Sequence, residues 1–268
     1  MVKQATKRCI YKLIMKNKNY KLWNKAKEMI LGGNSLFSKR PEIYLPDKWP
    51  VYYKKAKGCY IWDIDNKKYI DMALMGVGTN ILGYANKFVD NAVIKNLKKS
   101  NMSSLNCIEE VELAKKLLKL HKWAEKVKFA KTGAEANSIA IRIARSYTKS
   151  TKVAVCGYHG WHDWYMSALL NKKNEINKLL LNGLNNKGIP KELSNLTFTF
   201  KYNDIGKLEN LLKTRKIKII KMEVIRNIEP KNNFLAKVRK LANKYKAILI
   251  FDECTSGFRA TLGGIHKK

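Results

Sequence analysis

Acidic residues are scarce in this sequence. Its 268 residues carry 21 Asp+Glu against 54 Lys+Arg, a formal net charge of +33. Such an excess suits nucleic acid or an anionic membrane surface. The lysines, however, are interspersed along nearly every segment, with Asn and Ile also plentiful, as a compositional bias spread over solvated faces leaves them. "KTRKIKIIK" (213–221) is a local basic cluster, but no reader motif accompanies it, and specific nucleic-acid binding is not expected. Apolar runs are short. None approaches the roughly 20 residues of a membrane span, and the basic N-terminus lacks the apolar core of a secretory signal. Residues 1–27 contain no acid, as in a transit peptide, yet they are rich in Lys rather than Arg. The five cysteines (9, 59, 107, 156 and 254) are odd in number and show no CxxC spacing, so neither a disulfide framework nor a zinc site follows. A reducing cytoplasm is the expected location. What remains is 46% apolar residues with 10% aromatics, enough for a globular core in one large domain or two small ones.

Residues 1–30 read as a basic helix broken by "GGNS" (32–35), and Pro41, Pro46 and Pro50 make 41–50 an extended stretch. "GCYIWDIDNKKYIDM" (58–72) reads as a β-hairpin around Asp65-Asn66. A helix over 108–120 carries the stripe Val111, Ala114, Leu117 and Leu118, with Asn106 and Glu109 spaced as a capping box. Strands at 126–130, 152–156, 196–200, 216–224 and 247–251 then alternate with helices at 134–147 and 233–245. The second of these helices places Phe234, Val238, Leu241, Ala242 and Tyr245 on one face. Residues 171–195, rich in Asn, Lys and Gly, read as an exposed excursion. The alternation predicts an α/β fold, a mostly parallel central sheet covered by helices.

Ligands of such sheets bind beyond the carboxyl ends of the strands, and three loops there carry unusual residues. In "FAKTGAEANSIAIRIAR" (129–145) a strand runs through Thr132-Gly133-Ala134 directly into a helix, whose free first-turn N–H groups suit phosphate. An ordinary strand–turn–helix uses glycine in the same way. "CGYHGWHDW" (156–164) crowds Tyr158, His159, Trp161, His162 and Trp164 into one loop, where an aromatic face can stack on a planar ligand. A metal held by His159, His162 and Asp163, or a plain aromatic cluster, are the competing readings, and no metal is expected. In "ILIFDECTSGFRATLGGIHKK" (248–268) an apolar strand delivers Asp252 and Glu253 at its tip. A buried carboxylate needs a cation, and a planar ligand with a protonated ring nitrogen supplies one. A capping or ion-paired role is the alternative for Glu253.

Phosphate cup, stacking aromatic and ring-nitrogen acid together describe pyridoxal 5'-phosphate (PLP). The segments "KTGAEANSIAIRIARSYT", "CGYHGWHDW" and "LIFDECTSGFR", with "GGNSLFSKRPE" (32–42), "KGCYIWDIDNKKYIDM" (57–72) and "TNILGY" (79–84) before them, resemble class III aminotransferases of the fold-type I PLP enzymes. The glutamate-1-semialdehyde aminomutase-like branch is the nearest in pattern, and the similarity runs from about residue 20 to the end. The resemblance implies that Gly133 and Ala134 bind the cofactor phosphate with Thr132 flanking. It implies too that Tyr158 stacks on the ring and that Asp252 holds the ring N–H. Glu223, in "KMEVIRNIEP", matches a family acid near the cofactor, although Val224 replaces the usual following proline. Lys39 or Arg40 matches a basic group that binds the substrate carboxylate. The implied division is 1–72, a helical segment with the hairpin, and 73–268, the N-terminal part of the cofactor-binding major domain. Strands 152–156, 196–200, 216–224 and 247–251 are expected as one contiguous block, with 126–130 apart from it.

The family's Schiff-base lysine follows a segment that is not found here, and Lys267 and Lys268 belong to the stretch before it. The expectation is therefore a C-terminally truncated fragment, inactive alone, of a homodimeric aminotransferase or aminomutase acting on a small-molecule amino donor and acceptor. The alternative is a non-catalytic basic binding protein on a degenerate scaffold of the same kind.

Overall fold

The computed structural model describes residues 17–46, 48–73, 75–171, 186–225 and 227–267. The first sixteen residues of the expected basic helix, with Cys9, lie outside these, as do 172–185 of the expected excursion and Lys268. Among the described residues no helix is long and apolar enough to cross a membrane. The chain divides into two compact units, residues 1–105 and 106–268.

In the first unit, helix α1 (Lys18–Met29) is capped by Asn17, whose side chain accepts from the Asn19 N–H. Its buried residues Asn19, Tyr20, Trp23 and Ala26 recur at helical spacing along one face. Asn19 ties that face down, accepting from Tyr52 N at 2.9 Å and donating to Asp65 Oδ2 at 3.1 Å. The stretch expected to be extended instead holds a 3-10 turn at Pro41–Ile43, with proline at its first position, where a missing N–H costs nothing. Strands β1 (Tyr53–Lys57), β2 (Tyr60–Asp63) and β3 (Lys68–Ile70) form an antiparallel sheet in that order. The predicted hairpin is the β2–β3 pair, Tyr60 opposite Ile70, and Asn66 takes the left-handed conformation its turn requires (φ 63°). Helix α2 (Lys87–Leu97) follows.

The second unit opens with helix α3 (Ile108–Leu120), which buries none of its residues fully. Its N-cap is Cys107, not Asn106, and no side chain caps it. The strand expected at 126–130 does not form: residues 124–130 have no regular structure. Helix α4 (Gly133–Thr148) begins at the predicted turn with a full capping box. Thr132 accepts from Glu135 N, and the Glu135 carboxylate reaches back to Thr132 N. Strands β4 (Val153–Cys156), β5 (Thr197–Thr199), β6 (Ile219–Glu223) and β7 (Ile248–Asp252) form one parallel sheet in the order β5-β4-β6-β7. That is the contiguous block expected.

Helices cover both faces. Helices α5 (Ile205–Thr214) and α6 (Phe234–Lys244) pack Leu208, Leu211, Leu212, Phe234, Val238, Leu241 and Ala242 against Ala154, Cys156, Ile220 and Met222. On the other face Ile141 and Ala144 of α4 meet Val153, Val155 and Ile219. Each large apolar side chain buried this way contributes roughly 1.5–3 kcal/mol. Period-two alternation then sends Ile219, Lys221 and Glu223 of β6 to the α4 face. A strand otherwise fully apolar thus buries two charged side chains, both in the same direction.

Candidate functional site

The carboxyl ends of β4, β6 and β7 lie side by side, with Cys156 paired to Met222 and Glu223 to Asp252. The N-terminus of α4 approaches the same edge: a Cβ on Gly133 would stand 3.3 Å from Cys254 Sγ, just beyond β7. The loop after β4 closes over it. Gly160 has φ 99°, and a Cβ there would lie 2.8 Å from the Ala134 Cβ, so only glycine admits this approach.

Asp252 is the centre of this region and is buried. Its Oδ2 accepts from Asn137 Nδ2 at 2.9 Å and from His159 Nδ1 at 2.9 Å, and faces Lys221 Nζ at 3.4 Å. Its Oδ1 accepts from Cys254 N at 3.0 Å. Burial alone pushes a carboxyl up. The His159 hydrogen bond, the Lys221 charge and the Cys254 N–H together reverse this and hold Asp252 well below the usual carboxylate range. Burial lowers the His159 imidazole, against the pull of Asp252, and lowers the Lys221 ammonium likewise. The second His159 nitrogen, Nε2, lies 3.2 Å from Cys156 O.

Around this carboxylate the remaining residues take distinct places. Tyr158 is half-buried and stands edge-on to Tyr165, with ring centroids 6.1 Å apart. Glu223 lies beneath it: Oε2 accepts from Tyr158 N at 3.1 Å, and a Cβ on Gly157 would fall 2.4 Å from the same oxygen. Thr132 spends its hydroxyl on the Glu135 N–H, which leaves the first-turn N–H groups of Gly133 and Ala134 without an acceptor among the described residues. His162 Nδ1 and Trp164 Nε1 converge on Ser138 Oγ, at 2.5 and 3.1 Å. The rings of His159 and His162 thus serve different partners. Glu253 points away from Asp252 and clasps the following loop, accepting from Ser256 Oγ, Ile265 N and His266 N and pairing with His266 Nδ1.

Lys39 and Arg40 belong to the first unit. Lys39 is exposed, whereas Arg40 is half-buried, lies over the Phe37 ring and lines a cleft of about 520 Å³ with Trp23, Gly32, Glu42 and Ile43.

The structure therefore brings Thr132, Gly133, Ala134, Tyr158, Glu223 and Asp252 to one sheet edge. It adds three groups the sequence reading did not assign there: Asn137, His159 as a partner of Asp252, and Lys221. The last was legible. In "IKIIKME" a lysine two positions before Glu223 shares its face, and a lysine inside an apolar strand requires a counter-charge.

The profile of the class III aminotransferases ("Aminotransferase class-III") matches residues 45–264. A 3-aminobutyryl-CoA aminotransferase of Cloacimonas acidaminovorans is 36% identical over 255 residues, 92% of this chain and 57% of that protein. A glutamate-1-semialdehyde 2,1-aminomutase of Sulfurisphaera tokodaii is 35% identical over 91% of this chain and 57% of its own length. Among solved structures, a transaminase with PLP bound superposes with a TM-score of 0.76 at 26% identity, over 89% of this chain and 55% of that one. The chain thus spans little more than half the length of the relatives it matches.

Proposed function

This chain belongs to the class III aminotransferases, and from that premise we propose that its sheet edge holds pyridoxal phosphate for amino-group transfer, as an aminotransferase or aminomutase. The observation that carries the reading is Asp252, a buried carboxylate held ionised beside an open helix N-terminus. The residues present fit the cofactor at both ends. The N–H groups of Gly133 and Ala134, at the start of a 16-residue helix, suit a phosphate. Asp252 suits a protonated ring nitrogen, and Tyr158 suits the face of the ring.

Bound there, pyridoxal phosphate supplies an electron sink for a substrate carbanion. The protein's part is to hold and orient. Asp252 keeps a proton at the ring nitrogen, and His159 and Asn137 fix the carboxylate. Thr132 positions the phosphate cup through the capping box. Glu223 acts through the Tyr158 N–H, bracing the loop that carries the covering aromatic. Of the two basic candidates for a substrate carboxylate, we take Arg40, because it lines a cleft and Lys39 does not. Amino acids and their keto or semialdehyde counterparts are the substrates this implies, in a homodimer. We further propose that the 268 residues alone show no turnover, since the cofactor-anchoring lysine of the resembled enzymes has no match in them.

The test is a titration of the purified protein with pyridoxal phosphate, followed by visible absorbance, with a coupled assay on several amino donors. Saturable binding that weakens at least about tenfold in Gly160→Ala or Asp252→Ala is expected, without turnover. Absence of saturable binding at any pH overturns the reading.

A further inference from the structure

Lys221 is a buried charge of the site that cofactor binding does not use. Its side chain is 2% exposed, on a strand whose other residues are fully buried, and its Nζ lies 3.4 Å from Asp252 Oδ2. A buried ammonium is costly unless paired, and the carboxylate that pairs it is the same one proposed to receive the ring nitrogen. Oδ2 already accepts from Asn137 and His159. A third donor and an arriving ring N–H therefore compete for one small acceptor.

We propose that Lys221 is the resident counter-ion of Asp252, and that the cationic ring nitrogen of pyridoxal phosphate takes its place on that carboxylate, the Lys221 ammonium losing its proton to solvent. The inference rests on the cofactor reading above. Two cations cannot both be neutralised by one carboxylate in a buried site, and the lysine is the one that burial already disfavours as a charge. The groups facing it are Asp252 on β7, Cys254 just beyond, Glu223 two places along β6, and His159 across the shared carboxylate. From α4 the side chain on that carboxylate is the uncharged Asn137. Glu223 is partly committed to Tyr158 N, which leaves Asp252 as the principal partner.

The sign of the linkage follows. Cofactor binding lowers the pKa of Lys221, so a proton is released in the window between its bound and free values. Affinity for pyridoxal phosphate rises with pH through that window. Lys221→Met removes the competitor at nearly equal volume. The variant binds pyridoxal phosphate more tightly at neutral pH, by about tenfold or more, and its affinity loses that rise with pH.

The experiment is calorimetric and spectroscopic titration with pyridoxal phosphate and with its 1-deaza analogue, which has carbon in place of the ring nitrogen. Wild-type protein is titrated in two buffers of different ionisation enthalpy, which counts protons released without any variant. Expected are proton release by the wild type and tighter pyridoxal phosphate binding by Lys221→Met, with no gain for the deaza analogue. Equal affinity of wild type and variant, absence of proton release, or a gain for the deaza analogue as large as for pyridoxal phosphate overturns the proposal and leaves the cofactor reading standing. If no protein binds pyridoxal phosphate at any pH, both fall.

Discussion

Asp252→Asn isolates what the carboxylate does for the fold from what it does for a cofactor. Asparagine keeps the size of the side chain and can still accept from Cys254 N, so no cavity opens. What disappears is the negative charge and one acceptor: with the amide oxygen on Cys254 N, its Nδ2 faces the Asn137 and His159 donors, and Lys221 is buried with no full partner. At 3.4 Å and an effective dielectric of about 20, the lost attraction is about 5 kcal/mol. Breaking a buried pair from one side ordinarily costs about 3–5 kcal/mol, and we expect a loss in that range at neutral pH. The unpaired lysine binds its proton less readily folded than unfolded, so stability of the variant rises with pH between its folded and unfolded pKa values. The wild type has the same sign of pH dependence, but at the acid end. Asp252 contributes stability that is complete above the ordinary carboxylate pKa and is lost as pH falls toward its depressed folded value. The assay is equilibrium urea unfolding by far-UV circular dichroism at neutral and alkaline pH, on Asp252→Asn and on Asp252→Asn with Lys221→Met. The double variant should recover about 1 kcal/mol or more of that loss, because it no longer buries an unpaired ammonium. A single variant within about 1 kcal/mol of wild type, or a double variant no better than the single, refutes the reasoning.

Other perturbations test the supports of the site. Thr132→Ala removes the α4 cap and should cost about 1 kcal/mol in the same unfolding assay. Gly157→Ala forces a side chain at φ 99° to within 2.4 Å of Glu223 Oε2, and should cost more than about 1 kcal/mol while weakening pyridoxal phosphate binding. Tyr158→Ala loses stacking worth about 0.5–1.5 kcal/mol, so cofactor affinity should fall only severalfold in the absorbance titration. Burial, then the Glu223 charge, push the Cys156 thiol up to about 12. It should resist a thiol reagent in native protein and react on unfolding, whereas the exposed Cys59, Cys107 and Cys254 react at once.

How legible the site was depended on whether a signal was local. The apolar stripe of α6 was read residue for residue, because 3.6-residue spacing is visible in eleven positions. The Asp252 strand tip was read from a short apolar run ending in acids. The two capping boxes show the limit. Asn106 with Glu109 and Thr132 with Glu135 have the same spacing, yet only the second closes, because cap geometry depends on backbone angles that spacing does not fix. The strand expected at 126–130 had β-favouring residues but gains no partner among the described strands, and pairing, not propensity, makes a strand. Lys221 was counted as part of a basic cluster, when its alternation with Ile219 and Glu223 marked it as internal. The contact of His159 with Asp252 spans 93 positions of sequence, and nothing at either residue announces the other.

The strand order also governs how this unit is made. β4 lies inside the sheet, yet both strands that flank it are encoded later, and β7, which completes the block, ends roughly 100 residues after β4. At translation rates of about 5–20 residues per second, β4 emerges about 5–20 s before its last sheet-mate. In the early part of that interval, before β5 and β6 emerge, the carbonyl and N–H groups of a fully buried strand have no strand partner, although Val153 and Val155 can already meet Ile141 and Ala144 of α4. The apolar β4 is therefore a segment of the nascent chain exposed to wrong pairing, and its ladder is complete on both sides only once β6 has left the exit tunnel.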